Sequence, residues 1–129
     1  MKRKRKKRKK QWGWGKSGYY KGTWCDSSWE LAYLMYHLDH DIKIRRNGRG
    51  FVYTYYGKKH KYYPDFVVNG EYVEIKGRMD RKSKAKIKQF KKLLIVIEAE
   101  GIKPYLEYAT KTYGDDFTKL YSSTEKKKK

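Results

Sequence analysis

The order of hydrophobic patterns along the chain predicts a single α/β domain built on a central mixed sheet. Three observations carry this. Leu31, Leu34 or Met35, and Leu38 recur at helical spacing. Between residues 42 and 76, short segments rich in β-branched and aromatic residues alternate with Gly and Asn. A lysine-rich amphipathic stretch over 81–91 then runs into the aliphatic segment 93–97. The 129 residues leave room for one domain, since compact domains typically run to roughly 100–150 residues, and none for a second catalytic one.

Each element follows from local chemistry. Ser27 or Ser28 opens the first helix, which runs to about His40, and its apolar stripe should bury it against the sheet. Residues 42–45 and 51–56 read as strands on either side of the turn pair Asn47-Gly48. A loop is expected over 57–61, then a strand over 62–68, the turn pair Asn69-Gly70 and a strand over 71–76, the strongest short-range hairpin signal in the chain. Asp80 can cap a helix over 81–91 whose apolar side is Ile87 and Phe90, with Lys82, Lys84, Lys86, Lys88, Lys91 and Lys92 around the rest. Residues 93–97 read as a buried strand, so that hairpin, helix and strand form a helical crossover onto the sheet. A last, C-terminal helix starts near Pro104, suited to a first turn, and stops at Gly114, suited to a left-handed cap.

Lys and Arg total 34 against 14 Asp and Glu, a formal net charge of +20 that calls for a polyanionic partner. Residues 2–10 are all basic and 126–129 are all lysine, so thirteen of these charges sit at the ends and +7 remains on residues 11–125. A like-charge block repels itself, and residues 1–10 read as a disordered basic arm, with 126–129 a basic tail; a nuclear-localisation signal or an expression remnant has the same appearance. Residues 11–26 mix glycines with Trp12, Trp14, Tyr19, Tyr20 and Trp24. The segment reads either as a flexible stretch contacting nucleic acid through Lys16, Tyr19 and Lys21, or as aromatics folded back over the core. Lys82, Lys84 and Lys88 of the second helix are further candidate contacts for a phosphate backbone.

Other chemistries are excluded. Gly15-Lys16-Ser17 looks like the end of a phosphate loop, but Lys10 stands where that motif needs its first glycine. Cys25 is the only cysteine, which rules out an internal disulfide, and with His37, His40 and His60 it makes a poor zinc set. The longest aliphatic run, 93–97, is far short of the roughly 20 residues that span a bilayer. No membrane is expected as a partner, and the chain is expected to be intracellular.

The hairpin around Asn69-Gly70 carries the candidate site. With those two residues as the loop, Val68 faces Glu71, Val67 faces Tyr72, Phe66 faces Val73 and Asp65 faces Glu74. Phe66, Val68, Val73 and Ile75 then share the core face, and Asp65, Glu74 and Lys76 the other. Directly opposed carboxylates cost roughly 0.2–1 kcal/mol of sheet stability. A divalent cation between them removes the objection, and hard oxygen ligands suit Mg²⁺, with Mn²⁺ able to substitute. Lys76 stands beside that position, placed to hold a water or to neutralise charge on a phosphate. Glu-x-Lys alone says little, because this composition supplies roughly four acid-x-base triplets by chance; the placement opposite Asp65 gives it meaning. Ser27-x-x-Glu30 has the form of a helix capping box, and Glu30 is equally open to a role as a third acid at the metal. Tyr33 and His37, one and two turns on, would line the same groove or be buried; His40 and His60 read as surface residues.

Tyr62-Tyr63-Pro64-Asp65-Phe66 followed by Glu74-Ile75-Lys76-Gly77 resembles the PD-(D/E)xK nuclease superfamily, and the element order over 28–98 is similar to its αβββαβ restriction-endonuclease-like core. Tyr20-Lys21-Gly22, Ser27-Ser28-Trp29-Glu30-Leu31-Ala32-Tyr33 and Tyr113-Gly114-Asp115-Asp116-Phe117 look like segments of small phage-encoded homing or restriction-like endonucleases. The resemblance spans roughly residues 12–121. It implies a Mg²⁺-dependent endodeoxyribonuclease in which Asp65, Glu74 and the backbone carbonyl of Ile75 bind the metal, Lys76 assists the hydrolytic water, and Glu30 is the acid of the first helix. It also implies double-stranded or branched DNA as partner, a homodimer as an assembly, and the cytoplasm of a phage-infected bacterium as the setting. A junction-resolving phage endonuclease shares this layout and is the nearest alternative; a non-catalytic basic nucleic-acid-binding protein is the other.

Overall fold

The computed structural model describes residues 16–121, so the basic arm, the Trp12 and Trp14 positions and the lysine tail lie outside the described residues. It is a mixed α/β structure with three α-helices, a mixed four-stranded sheet and two separate two-stranded ribbons. The described residues cluster into two compact units, 16–36 with 105–121, and His37–Pro104.

In the first unit, β1 (Gly18–Tyr20) and β2 (Thr23–Cys25) pair antiparallel, with Gly18 opposite Cys25 and Tyr20 opposite Thr23. The segment read either as flexible or as aromatics folded over the core is, over its described part, a hairpin. Its turn residues Lys21 and Gly22 both have positive φ, 48° and 83°, as a tight hairpin turn requires. Tyr20 and Cys25 point into the core, while Tyr19 packs edge-on against Trp24 at 4.9 Å. A side chain at position 18 would meet the Tyr121 ring at 2.7 Å, so only glycine fits there.

Helix α1 (Ser28–Asp39) begins and ends close to its expected bounds. Its burial goes beyond a stripe, since every residue from Leu31 to Met35 is buried, the pattern of a helix covered all round. Tyr33 and His37 are among the buried residues. The last helix, α3 (Ala99–Tyr113), starts five residues before the expected point and carries Pro104 inside it. The helix is initiated upstream, where Ile102 N–H bonds the Glu98 carbonyl at 2.9 Å, so the proline gives up a later backbone bond instead of opening the helix. Its C-terminus is the expected one: Gly114, at φ 102°, donates to Thr110. Within the first unit, Tyr105 meets Tyr33 and Tyr36 edge-on at 4.8 and 5.1 Å, and a 3-10 turn, Phe117–Leu120, buries Phe117.

The second unit holds the four-stranded sheet, ordered β3 (Ile44–Arg46), β6 (Phe66–Val68), β7 (Glu71–Ile75), β8 (Leu94–Ile97). The register across β6 and β7 is the expected one, with Phe66 opposite Val73 and Val68 opposite Glu71, and Asn69 and Gly70 both at positive φ. Strand β8 runs parallel to β7 through α2 (Arg81–Gln89), the expected crossover. Asp80 caps α2 by accepting the Ser83 N–H at 2.8 Å, which also holds the Asp80 carboxyl below its ordinary range. Strand β8 is an edge, not a buried strand: Leu93 just before it is 68% exposed, and Ile95 also reaches solvent.

The expected loop over 57–61 is in fact a strand. Strands β4 (Phe51–Tyr55) and β5 (Lys58–Tyr62) form a ribbon through Tyr56 and Gly57, at φ 50° and 73°. Because only one face of this ribbon is covered, the run Lys58-Lys59-His60-Lys61 reads as polar loop although it alternates like a strand. The ladder then breaks at Pro64, which has no N–H to give, so the expected strand over 62–68 is shared between β5 and the short β6.

Candidate active site

The site is built where β5, β6, β7 and α2 meet within the second unit. Asp65 and Glu74 are both buried, at 8% and 5% exposure. The β6–β7 ladder stops at Phe66 with Val73, one pair short of them. Instead of standing in a regular cross-strand pair, the Asp65 carboxylate accepts the Ile75 N–H through Oδ2 at 2.8 Å, and its Oδ1 lies 3.6 Å from the Arg46 guanidinium. Its own backbone carbonyl accepts from Asn47 N–H at 3.0 Å. The Asn47 side chain in turn donates to the carbonyls of Arg49 and Pro64, so the turn after β3 fixes the backbone of the Pro64-Asp65 step.

Glu74 is held from the neighbouring ribbon. The Tyr62 hydroxyl donates to Glu74 Oε1 at 2.9 Å. Burial, then the Glu74 charge and this bond, push the Tyr62 phenol well above its ordinary pKa, so it stays a donor at any working pH. Lys76 follows directly after β7, half-buried, its N–H bonded to the Ile97 carbonyl at 2.9 Å.

The sequence pattern puts Lys86 on the solvent ring of α2, and the structure corrects this. It lies on the inward row Ser83, Lys86, Ile87, Phe90, half-buried, with Nζ 5.0 Å from the centre of the Tyr62 ring. Burial and then the nearby Lys76 lower its pKa, against the opposing pull of Glu74, Asp65 and Asp80. Lys86 therefore lies within reach of both carboxylates and of Lys76. A cavity of about 260 Å³ opens on the Lys86 and Tyr62 side, lined also by Phe51, Tyr53 and Phe90; Asp65, Glu74 and Lys76 are not part of its lining. Spacing of three and four residues along α2 is the signal that could have found Lys86; Arg46 and Tyr62 carry none.

As donors, Asp65 and Glu74 offer hard oxygens only, from two carboxylates, which fits Mg²⁺ with the rest of its shell left to water and a phosphate. Among the described residues no group of three or more His, Cys, Asp and Glu side chains gathers as a metal site. Glu30 belongs to the first unit and takes part in helix capping: Oε1 accepts the Asp26 N–H at 2.9 Å, and its own N–H donates to Ser27 Oγ at 3.3 Å. Glu30→Gln keeps that acceptor, so its melting temperature should match the wild type. A tenfold or greater loss of metal-dependent cutting at unchanged melting would make Glu30 a ligand as well as a cap, and unchanged cutting would make it a cap only.

Lys82, Lys84 and Lys88 are exposed on α2, as are Lys16 and Lys21 in the first unit, whereas Tyr19 is half-buried. His40 is exposed, and His60 stacks on Tyr53 at 5.4 Å. Among the described residues, no helix is long and apolar enough to cross a membrane. Compared with protein-family models, with curated proteins and with solved structures, the chain matches none.

Proposed function

We propose that this protein is a Mg²⁺-dependent endodeoxyribonuclease of the restriction-endonuclease-like class. One observation carries the reading: two buried carboxylates, Asp65 and Glu74, are each fixed by a hydrogen bond, with the half-buried Lys86 of α2 in electrostatic reach of both. Burying two acids costs several kcal/mol per charge unless partners compensate, so a sequence serving stability alone would place apolar residues there. The sheet order, with its one parallel pair reached through α2, supports the same reading.

Asp65, Glu74 and the Ile75 carbonyl would hold the metal, which when bound supplies Lewis-acid stabilisation and a more acidic water. Tyr62 fixes the Glu74 carboxylate, and the Ile75 N–H with Arg46 fixes that of Asp65. The Lys76 ammonium orients the attacking water and offsets charge as it develops on the phosphate. Lys86 adds a second cation on the α2 side, so the scissile phosphate is drawn to a position it would not take on a neutral surface.

The test is incubation of purified protein with linear duplex, a four-way junction and a single strand, with Mg²⁺, with Mn²⁺ and with EDTA. Cutting of a DNA substrate is expected with either metal and none with EDTA; preference for the junction would select the junction-resolving alternative. No cutting of any substrate with either metal overturns the proposal. A second expectation concerns the basic arm. Deleting residues 2–10 should flatten the dependence of log affinity on log salt by about 0.9 for each duplex phosphate that the arm no longer neutralises, while cutting at saturating enzyme and low salt survives. A salt titration of both proteins on one duplex, with single-turnover cleavage alongside, reads both quantities.

A further inference from the structure

The β4–β5 ribbon has a face that the fold itself does not use. Its register pairs Val52 with Lys61 and Thr54 with Lys59, and all four of these residues are exposed, Val52 at 61%. The opposite face carries the buried Tyr53 and Tyr62, with Phe51 edge-on to Phe90 and Tyr72 at 4.9 and 5.4 Å. At the tip, Tyr56 is 77% exposed, followed by Gly57, Lys58 and Lys59.

The ribbon is also pinned. The Gln89 side chain accepts from the Thr54 N–H at 2.9 Å and donates to the Thr54 carbonyl at 2.8 Å, completing the edge of β4 as a further strand would. Arg81 donates to the Tyr56 hydroxyl at 3.4 Å. A two-stranded ribbon alone in water is marginal, so anchoring that leaves one face open gives a rigid, cationic surface.

We propose that this open face enters the major groove of duplex DNA and reads base edges there. Two strands about 4.8 Å apart, with their side chains, suit a groove about 12 Å wide and are too broad for one of about 6 Å. Lys59 and Lys61 donate to guanine O6 and N7, while the methyl groups of Val52 and Thr54 meet the thymine methyl. The major groove of A-form RNA is too deep and narrow to admit the ribbon. Charge complementarity points to the same occupant, since the exposed face and tip carry three lysines and no acid.

This inference rests on the nuclease reading only for where the cut falls. From Lys59 to Tyr62, the residue bonded to Glu74, is three residues, or about 10 Å of strand. The cut should therefore lie within about three to five base pairs of the guanines read, at about 3.4 Å per pair.

The experiment selects duplexes from a library with a randomised core, using full-length protein in EDTA, and then maps guanine N7 on the selected duplex with dimethyl sulfate. Wild type should enrich a motif with protected guanines. The double variant Lys59→Ala with Lys61→Ala, both exposed and so expected to melt as wild type does, should lose that protection and at least tenfold in affinity for the selected duplex, but only a few-fold for a scrambled one. A charge-matched control, Lys103→Ala with Lys111→Ala, should weaken both duplexes equally and keep the protection. Absence of any enriched motif, an unchanged motif in the ribbon variant, or equal competition by an RNA duplex of the same sequence would overturn the inference. Adding Mg²⁺ to the selected duplex separates the two readings. An intact footprint without cutting removes the nuclease and leaves the ribbon; cutting that is indifferent to the ribbon variant does the reverse.

Discussion

Asp65→Asn is expected to abolish metal-dependent cutting, by at least roughly a hundredfold in the single-turnover rate, while DNA affinity in EDTA stays within a few-fold. The neutral amide keeps an oxygen to accept the Ile75 N–H, so the hairpin should hold. What goes is the charge that a cation and Arg46 both answer. Lys76→Ala should give a loss of the same order by a different route, leaving metal affinity intact and removing the ammonium proposed to hold the water. Affinity survives in both because phosphate contacts over a strongly basic surface supply most of it. If both variants cut at the wild-type rate, this cluster is not the active site.

Phe66→Ala is expected to cost about 3–5 kcal/mol of stability, the range for truncating a buried phenylalanine. Phe66 is fully buried in β6, one residue from Asp65, and it pairs with Val73 at the open end of the hairpin ladder, next to the site. The Arg46 guanidinium rests over its ring, 5.4 Å from the centre, so the cavity would also unseat the group that faces Asp65. For a chain of this size the melting temperature should fall by about 10–20 °C, read by thermal denaturation, with cutting below the new midpoint slower than stability alone explains. A change of less than about 3 °C would mean that the hairpin is not the centre of this core.

The three hairpins show why some elements are legible and others are not. Each turns on two residues at positive φ, the second always glycine: Lys21-Gly22, Tyr56-Gly57 and Asn69-Gly70. Only the last has asparagine first, the residue that tolerates this conformation best, and only that turn is readable in the sequence together with its register. Lysine and tyrosine in the first place give no such signal, so neither of the other two turns is readable as a hairpin, and 57–61 passes as a loop. Helix α2 is legible because Asp80 caps it and Ile87 and Phe90 repeat at helical spacing. Pro104 misleads because a proline marks where a helix tolerates a missing N–H, and tolerance is not limited to the first turn.

For the site, local rules already bring Asp65 and Glu74 to one end of the hairpin, because turn chemistry and alternation leave a two-residue hairpin no other register. Alternation along β7 carries the further expectation that Lys76 shares their side. What holds them comes from packing between elements. Tyr62 reaches Glu74 from the β4–β5 ribbon, and Arg46 reaches Asp65 from β3, the edge strand paired with β6. Lys86 comes in from a helix whose lysines look alike in one dimension. These are contacts between elements joined by no local rule. A hydrogen bond across a fold depends on where packing sets two backbones, and periodicity within one element carries no information about the next.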